Sequence, residues 1–281
     1  KKEFQDKIIL VTGAAGSIGS EIVRQVLKYK PIKVILLDQS ESGMYELSHE
    51  LLSKNKKYNF EIVIGDVSRK ERMENLFINF KPNLVFHAAA YKHVPLMEVN
   101  PSEAVRVNIE GTKILVDLSI KTNVEKFIFI STDKAVNPTN VMGASKRISE
   151  MYCQSVSKTT NTKFITTRFG NVLGSNGSVI PLFQKQLENG GPITVTHKNV
   201  TRYFMTIPEA CSLVLEAGHM GKGGEIYVFD MGKSIKIIDL AKKMIQLSGL
   251  VIEKDISIKI TGLRPGEKMY EELLSNQENT I

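Results

Sequence analysis

Thr12-Gly13-Ala14-Ala15-Gly16-Ser17-Ile18-Gly19 decides the fold. It follows the apolar run Lys7 to Val11 and leads into a segment carrying Ile22, Val23, Val26 and Leu27, one face of a helix. A Gly-x-x-Gly-x-x-Gly loop between strand and helix is a phosphate cradle. Gly13 permits the tight turn, Gly16 lets the backbone approach a pyrophosphate, and Gly19 lets helix and strand pack closely. The N–H groups and positive dipole at the helix start, around Ala15, Ser17 and Ile18, hold the anion. Asp38 stands about twenty residues further on, ending the next apolar run, where a carboxylate bonds both ribose hydroxyls of a dinucleotide. That carboxylate repels a 2′-phosphate, so the cofactor read here is NAD rather than NADP. Ser40 and the lack of an arginine just after Asp38 agree.

Outward from this loop, short β-branched runs alternate with helix-length segments. Lys7 to Val11, Val34 to Asp38, Phe60 to Asp66, Leu84 to Ala89, Lys126 to Ser131 and Phe164 to Phe169 are the strands. Met73, Leu76, Phe77 and Phe80 form one helical stripe between the third and fourth. Right-handed crossovers then cover both faces of a parallel sheet, so the class is α/β, a doubly wound sheet of Rossmann type. Asp66 and Val67 end the third strand; Asp66 either meets the adenine amino group or is a strand-end turn residue. Ala88, Ala89 and Ala90 end the fourth with side chains small enough for a dinucleotide to lie against. Asn108, an indifferent helix former placed mid-helix, points to a role beyond propensity.

After Gly170 the rhythm breaks into a Gly, Asn and Ser-rich loop, residues 170–178. Residues 1–172 are read as the NAD-binding domain, rejoined by about 205–242 through a strand at Gly224 to Phe229. Residues 173–204 and 243–281 are read as a smaller C-terminal substrate-binding lobe.

With 42% apolar and 24% charged residues the chain can bury a sizeable core, which excludes a disordered tail. The net charge of +7 favours an anionic partner. The basic residues are scattered without interleaved aromatics, so nucleic acid is not expected. Cys153 and Cys211 are too few for a disulfide framework or a zinc site, no metal is expected, and two reduced thiols suit the cytoplasm. No apolar run reaches the roughly 18 residues of a membrane span. A chain opening on Lys1, without a leader, reads as cut from a longer parent.

Ligands of open α/β sheets bind beyond the carboxyl ends of the strands. There stand Ser131-Thr132-Asp133-Lys134, a hydroxyl, a carboxylate and an ammonium able to shift one another's pKa values. Nearby are Asn137-Pro138-Thr139-Asn140-Val141-Met142-Gly143-Ala144-Ser145-Lys146, Arg168-Phe169-Gly170-Asn171-Val172 and Gly262-Leu263-Arg264-Pro265-Gly266-Glu267-Lys268. Over essentially its whole length the chain resembles the extended short-chain dehydrogenases/reductases, and among them the bacterial nucleotide-sugar 4,6-dehydratases. The family carries Tyr-x-x-x-Lys on a helix; Lys146 matches the lysine and Met142 occupies the tyrosine position.

The resemblance implies an NAD-dependent UDP-N-acetylglucosamine 4,6-dehydratase: oxidation at C4, loss of water across C5 and C6, and return of the hydride to C6. It makes Asp133 the acid for the C6 hydroxyl and Lys134 the base for C5. Related dehydratases have glutamate at the Lys134 position. A thioether cannot exchange a proton, so Thr132 is expected to position the C4 hydroxyl and Asp133 to accept its proton. The same resemblance has Lys146 bind the nicotinamide ribose, Arg202 and Arg264 hold the diphosphate, and Asn171, the stretch near Val179 and Glu267 meet the substrate. His93 is within reach of the sugar. Pro265-Gly266 also fits a plain type II turn. Members of the methionine branch are usually the cytoplasmic part of a larger membrane-anchored protein, at the inner face of the bacterial membrane, and the superfamily implies a homo-oligomer. A 4-epimerase and a non-catalytic NAD and nucleotide-sugar sensor remain the alternatives.

Overall fold

Each of the six apolar runs forms a strand, and the computed structural model, which describes residues 3–275 and 278, joins a seventh to them. These are β1 (Ile8–Thr12), β2 (Lys33–Asp38), β3 (Phe60–Ile64), β4 (Leu84–His87), β5 (Lys126–Ile130), β6 (Lys163–Arg168) and Ile226–Val228. Across the sheet the order is Ile226–Val228, β6, β5, β4, β1, β2, β3, with all pairs parallel. Successive side chains fall on opposite faces. Ile9, Val11, Val34, Leu36, Phe86 and Ile128 enter one core, while Leu10, Ile35, Leu37, Val85, Phe127 and Phe129 enter the other. Both faces are therefore buried, which is why these strands read as continuous apolar runs rather than alternating ones.

The first core is closed by the helices Ser17–Leu27 and Ile207–Met220, the second by Lys70–Phe80, Thr112–Lys121 and Val141–Ser157. Met73, Leu76 and Phe77 of the expected stripe are buried, and Phe80 packs beside them. The third and fourth strands stop at Ile64 and His87, short of the expected Asp66 and Ala89, because the residues beyond leave the sheet to line a cleft. Asn108 sits in a π-helical turn, Val105–Gly111, the kind of local widening that often marks a functional site.

A third, smaller core gathers Phe183, Ile193, Val195, Val200, Ile237, Ala241, Ile245 and Ile256. Ile258–Ile260 pairs parallel with Ile193–Val195, and Ile235–Lys236 pairs antiparallel with Thr201–Arg202. Among the described residues no helix is long and apolar enough to cross a membrane.

Candidate active site

The strand order reverses between β1 and β4, and a cleft opens there at the carboxyl ends of the strands, the place where open α/β sheets bind ligands. Gly13 has φ +68°, and a Cβ on it would sit 2.6 Å from the Ala89 amide nitrogen. A Cβ on Gly19 would sit 2.0 Å from the Gly13 carbonyl oxygen, so the helix reaches the loop only through glycine. Gly16 precedes the helix without a side-chain cap, leaving the N–H groups of its first turn, from Ser17 and Ile18, available to an anion. Asp38 accepts from the amides of Ala15, at 3.0 Å, and Ser40, at 2.9 Å. Two oxygens carry about four lone-pair sites, so this carboxylate ties the loop to β2 and keeps capacity for a ligand.

Asp66, Val67, Ala88, Ala89 and Ala90 line the same cleft. Asp66 Oδ2 accepts from Arg106 Nη1 at 2.6 Å, and Oδ1 accepts from the amide and hydroxyl of Ser68. Burial acts against its charge, but the Arg106 bond and the Ser68 donors outweigh it and hold the carboxyl low. Asn108 is buried, and both hydrogens of its amide are spent: one on the Tyr91 carbonyl and one on Ser145 Oγ, each at 2.9 Å. Its oxygen accepts from the Tyr91 amide. It therefore braces the exit of β4 against the helix Val141–Ser157.

Beside this cleft β5 ends in the second group. Asp133 is fully buried, its amide held by the Phe169 carbonyl. Its Oδ1 accepts from Thr132 Oγ1 at 2.9 Å and Lys134 Nζ at 3.0 Å; its Oδ2 is buried and, among the described residues, has no partner. Lys134 Nζ also donates to Asn171 Oδ1 at 3.1 Å. Gly143 lets the helix Val141–Ser157 pack on this turn, since a Cβ there would lie 2.2 Å from the Lys134 carbonyl oxygen. That helix carries Lys146, buried, with Nζ 4.1 Å above the Phe129 ring. Burial pushes Lys146 down to about 8, with Glu150 and Cys153 opposing the shift. Met142 is buried with Met97 and Ala104. Burial pushes the Cys153 and Cys211 thiols up to about 12, which leaves both inert as nucleophiles.

The smaller lobe closes the other side. Arg202 is buried; it donates to the Thr201 carbonyl and, through Nη2, to Glu267 Oε1 at 3.2 Å. Exposed Arg264 donates to Glu267 Oε2 at 3.1 Å, so one carboxylate joins both arginines. The Glu267 amide donates to the Arg264 carbonyl and Gly266 has φ +74°, the geometry of a type II turn. This turn docks through the Gly266 carbonyl, which accepts from Asn140 Nδ2 at 3.1 Å. His93 is exposed and lies against Gly177; burial, Lys92 and Arg264 lower its pKa. Val179 opens the helix Val179–Glu188 and packs on the third core.

Arg106 and Glu271 carry no signal in the sequence. Arg106 has only ordinary helix-surface spacing. Glu271 lies in a polar tail, yet its side chain is 3% exposed and stands 3.7 Å from Lys134 Nζ.

Residues 9–281 match the family described as "Polysaccharide biosynthesis protein". The chain is 58% identical over 280 residues to the capsular polysaccharide biosynthesis protein CapD of Staphylococcus aureus, covering 99% of this chain and 46% of that one. It is 35% identical over 283 residues to the UDP-N-acetylglucosamine 4,6-dehydratase (inverting) of Campylobacter jejuni, covering 99% and 80%. UDP-glucose 4-epimerases of Rickettsia species match at 34% and 35% identity. The crystal structure of Pen from Bacillus thuringiensis superposes with a TM-score of 0.91 at 39% identity, covering 98% of this chain and 84% of that one. The chain spans about half the length of the first curated relatives it matches, 46% of each. With its dinucleotide-type cleft and seven-stranded sheet on the extended short-chain dehydrogenase/reductase fold, the chain belongs to the polysaccharide biosynthesis protein family.

Proposed function

We propose that this chain dehydrates UDP-N-acetylglucosamine to a UDP-2-acetamido-2,6-dideoxy-4-keto-hexose, for polysaccharide assembly. The observation that carries the reading is the Asp133–Lys134 pair at the end of β5: buried Asp133 beside half-buried Lys134, with one Asp133 oxygen, among the described residues, unpartnered. Loss of water across C5 and C6 needs one group to take a proton and another to give one, and this pair supplies both.

NAD fits the cleft: the glycine loop accommodates its pyrophosphate, Asp38 its adenine ribose, Ala88 to Ala90 its flank and Lys146 its nicotinamide ribose. When bound, NAD supplies a reversible hydride acceptor at C4. Thr132 orients the C4 hydroxyl. Asp133 takes its proton and later gives it to the departing C6 oxygen, while Lys134 removes the C5 proton. Arg202 and Arg264 hold the diphosphate, exchanging Glu267 for phosphate oxygens. Asn171 fixes Lys134, and His93 borders the sugar. The substrate lobe is best drawn as 173–204 with the segment from about 235 onward, because Ile237, Ala241 and Ile245 share its core.

A 4-epimerase uses the same cleft but has no need of an acid and a base at C5 and C6. Incubation with UDP-N-acetylglucosamine in deuterated water separates the readings. A product lighter by one water and deuterated at C5 is expected; UDP-N-acetylgalactosamine, or unchanged substrate, rules the dehydratase out.

A further inference from the structure

One carboxylate of the site has no task in the proposed reaction. Glu271 is buried, and its Oε1 lies between two cations from the two halves of the site, Lys134 Nζ at 3.7 Å and Arg202 Nε at 4.0 Å. Its Oε2 is buried and, among the described residues, accepts no hydrogen bond. A buried carboxylate in such a setting is costly, so its charge rests on those cations. Burial pushes the carboxyl up; Lys134 opposes this, Asp133 adds to it, and Arg202 and Lys268 oppose it.

Asp133 is in a different position. Its Oδ1 already accepts from two donors, Thr132 Oγ1 and Lys134 Nζ. In the proposed reaction it also carries the proton from the C4 hydroxyl to the C6 oxygen, so it is not free to take another. Lys134 still has to lose a proton before it can act as a base.

Resting on that reaction, we infer that Glu271 is a positioning residue that takes the proton Lys134 sheds when a sugar-nucleotide diphosphate engages Arg202. An Arg202 turned toward phosphate withdraws one of the counter-charges of Glu271, leaving Lys134 and Lys268. An N–H bond of the Lys134 ammonium breaks and an O–H bond forms on Glu271, leaving a neutral amine for the C5 proton. At the end of the cycle Lys134 returns a proton to C5 and recovers the first from Glu271, so the protons balance. The 3.7 Å gap exceeds hydrogen-bond reach, and such contacts commonly tighten when substrate closes a site.

The test is acetylation of Lys134 by trace acetic anhydride, which only the neutral amine attacks, read by mass spectrometry with and without saturating UDP. Calorimetry records UDP binding in each protein. UDP is expected to raise Lys134 labelling roughly tenfold in the native chain, the equivalent of one pKa unit. Glu271→Gln should show no response, and Glu271→Asp, which keeps a carboxyl, a partial one. UDP that binds without raising labelling, or raises it equally in Glu271→Gln, overturns the role of Glu271. A native chain that does not bind UDP overturns the nucleotide-sugar reading and this inference with it. Dehydration supplies a second measure. Glu271→Gln should make the rate rise with pH while the native chain stays flat; a merely structural role lowers the rate equally at every pH.

Discussion

The two sides of the site are built by opposite means. The dinucleotide cleft is made mostly of backbone and small side chains: Gly13 at φ +68°, Gly19 against the Gly13 carbonyl, and Ala88 to Ala90 along one wall. Most of its parts sit within a few residues of a strand end. The side proposed for the sugar is made of charge and gathers Asp133 and Lys134, Asn171, Arg202, and Glu267 and Glu271 from four separate stretches. A backbone-built cradle is specified locally, whereas a charge cluster forms only after the chain folds.

That contrast can be broken by Asp133→Asn, for which we expect the largest effect. Product formation should fall about 10²- to 10⁴-fold, the usual share of general acid–base catalysis. NAD binding by calorimetry should be unchanged; loss of both together would mean the two sides are not separate units.

Beneath both sides lies Arg168, fully buried, with a bidentate pair to Glu150 on the helix that carries Lys146 and a further pair to Glu278. Arg168→Ala strips buried Glu150 of its bidentate partner, leaving it only half-buried Arg147 at 3.0 Å, and should cost up to about 3–5 kcal/mol in chemical denaturation. Arg168→Met combined with Glu150→Leu should recover most of that loss. If the single change is harmless, the two sides do not share this support.

Lys146 sharpens the comparison through pH. Its folded value, about 8, lies below the ordinary lysine value of 10.5. The unfolded chain therefore holds more protons across that window, and stability rises with pH between the two values. Lys146→Met should remove this rise, worth about 1–3 kcal/mol; parallel denaturation profiles for the two proteins from pH 7.5 to 10 would sink it. The smallest effect is expected at Asp38→Ala, which loses one charged acceptor to the ribose. NAD should bind about 10- to 100-fold more weakly, the cost of a charge-assisted hydrogen bond, with little change in the affinity for UDP.

Much of the cleft is legible in the sequence because each part has a local cause. The apolar runs are continuous because both faces of the sheet are covered, and the glycines stand where a Cβ would collide with backbone. Asn108 shows the limit. Its oddity mid-helix is visible in the chain, but its partners, Tyr91 and Ser145, lie 17 and 37 residues away, and only the fold shows that its amide is spent on them. Arg106 and Glu271 leave no trace, since a charged residue on a helix or in a tail looks the same whether solvated or paired.

By itself the sequence determined the parallel sheet, the glycine cradle with Asp38, and the Asp133–Lys134 pair at a strand end, because strand periodicity and turn chemistry act over a few residues. Tertiary structure alone decided which carboxylates share which cations: Glu267 between two arginines, Glu271 between Lys134 and Arg202, Asp66 against Arg106. Coulomb energies depend on distance through space and on burial, and a linear sequence records neither.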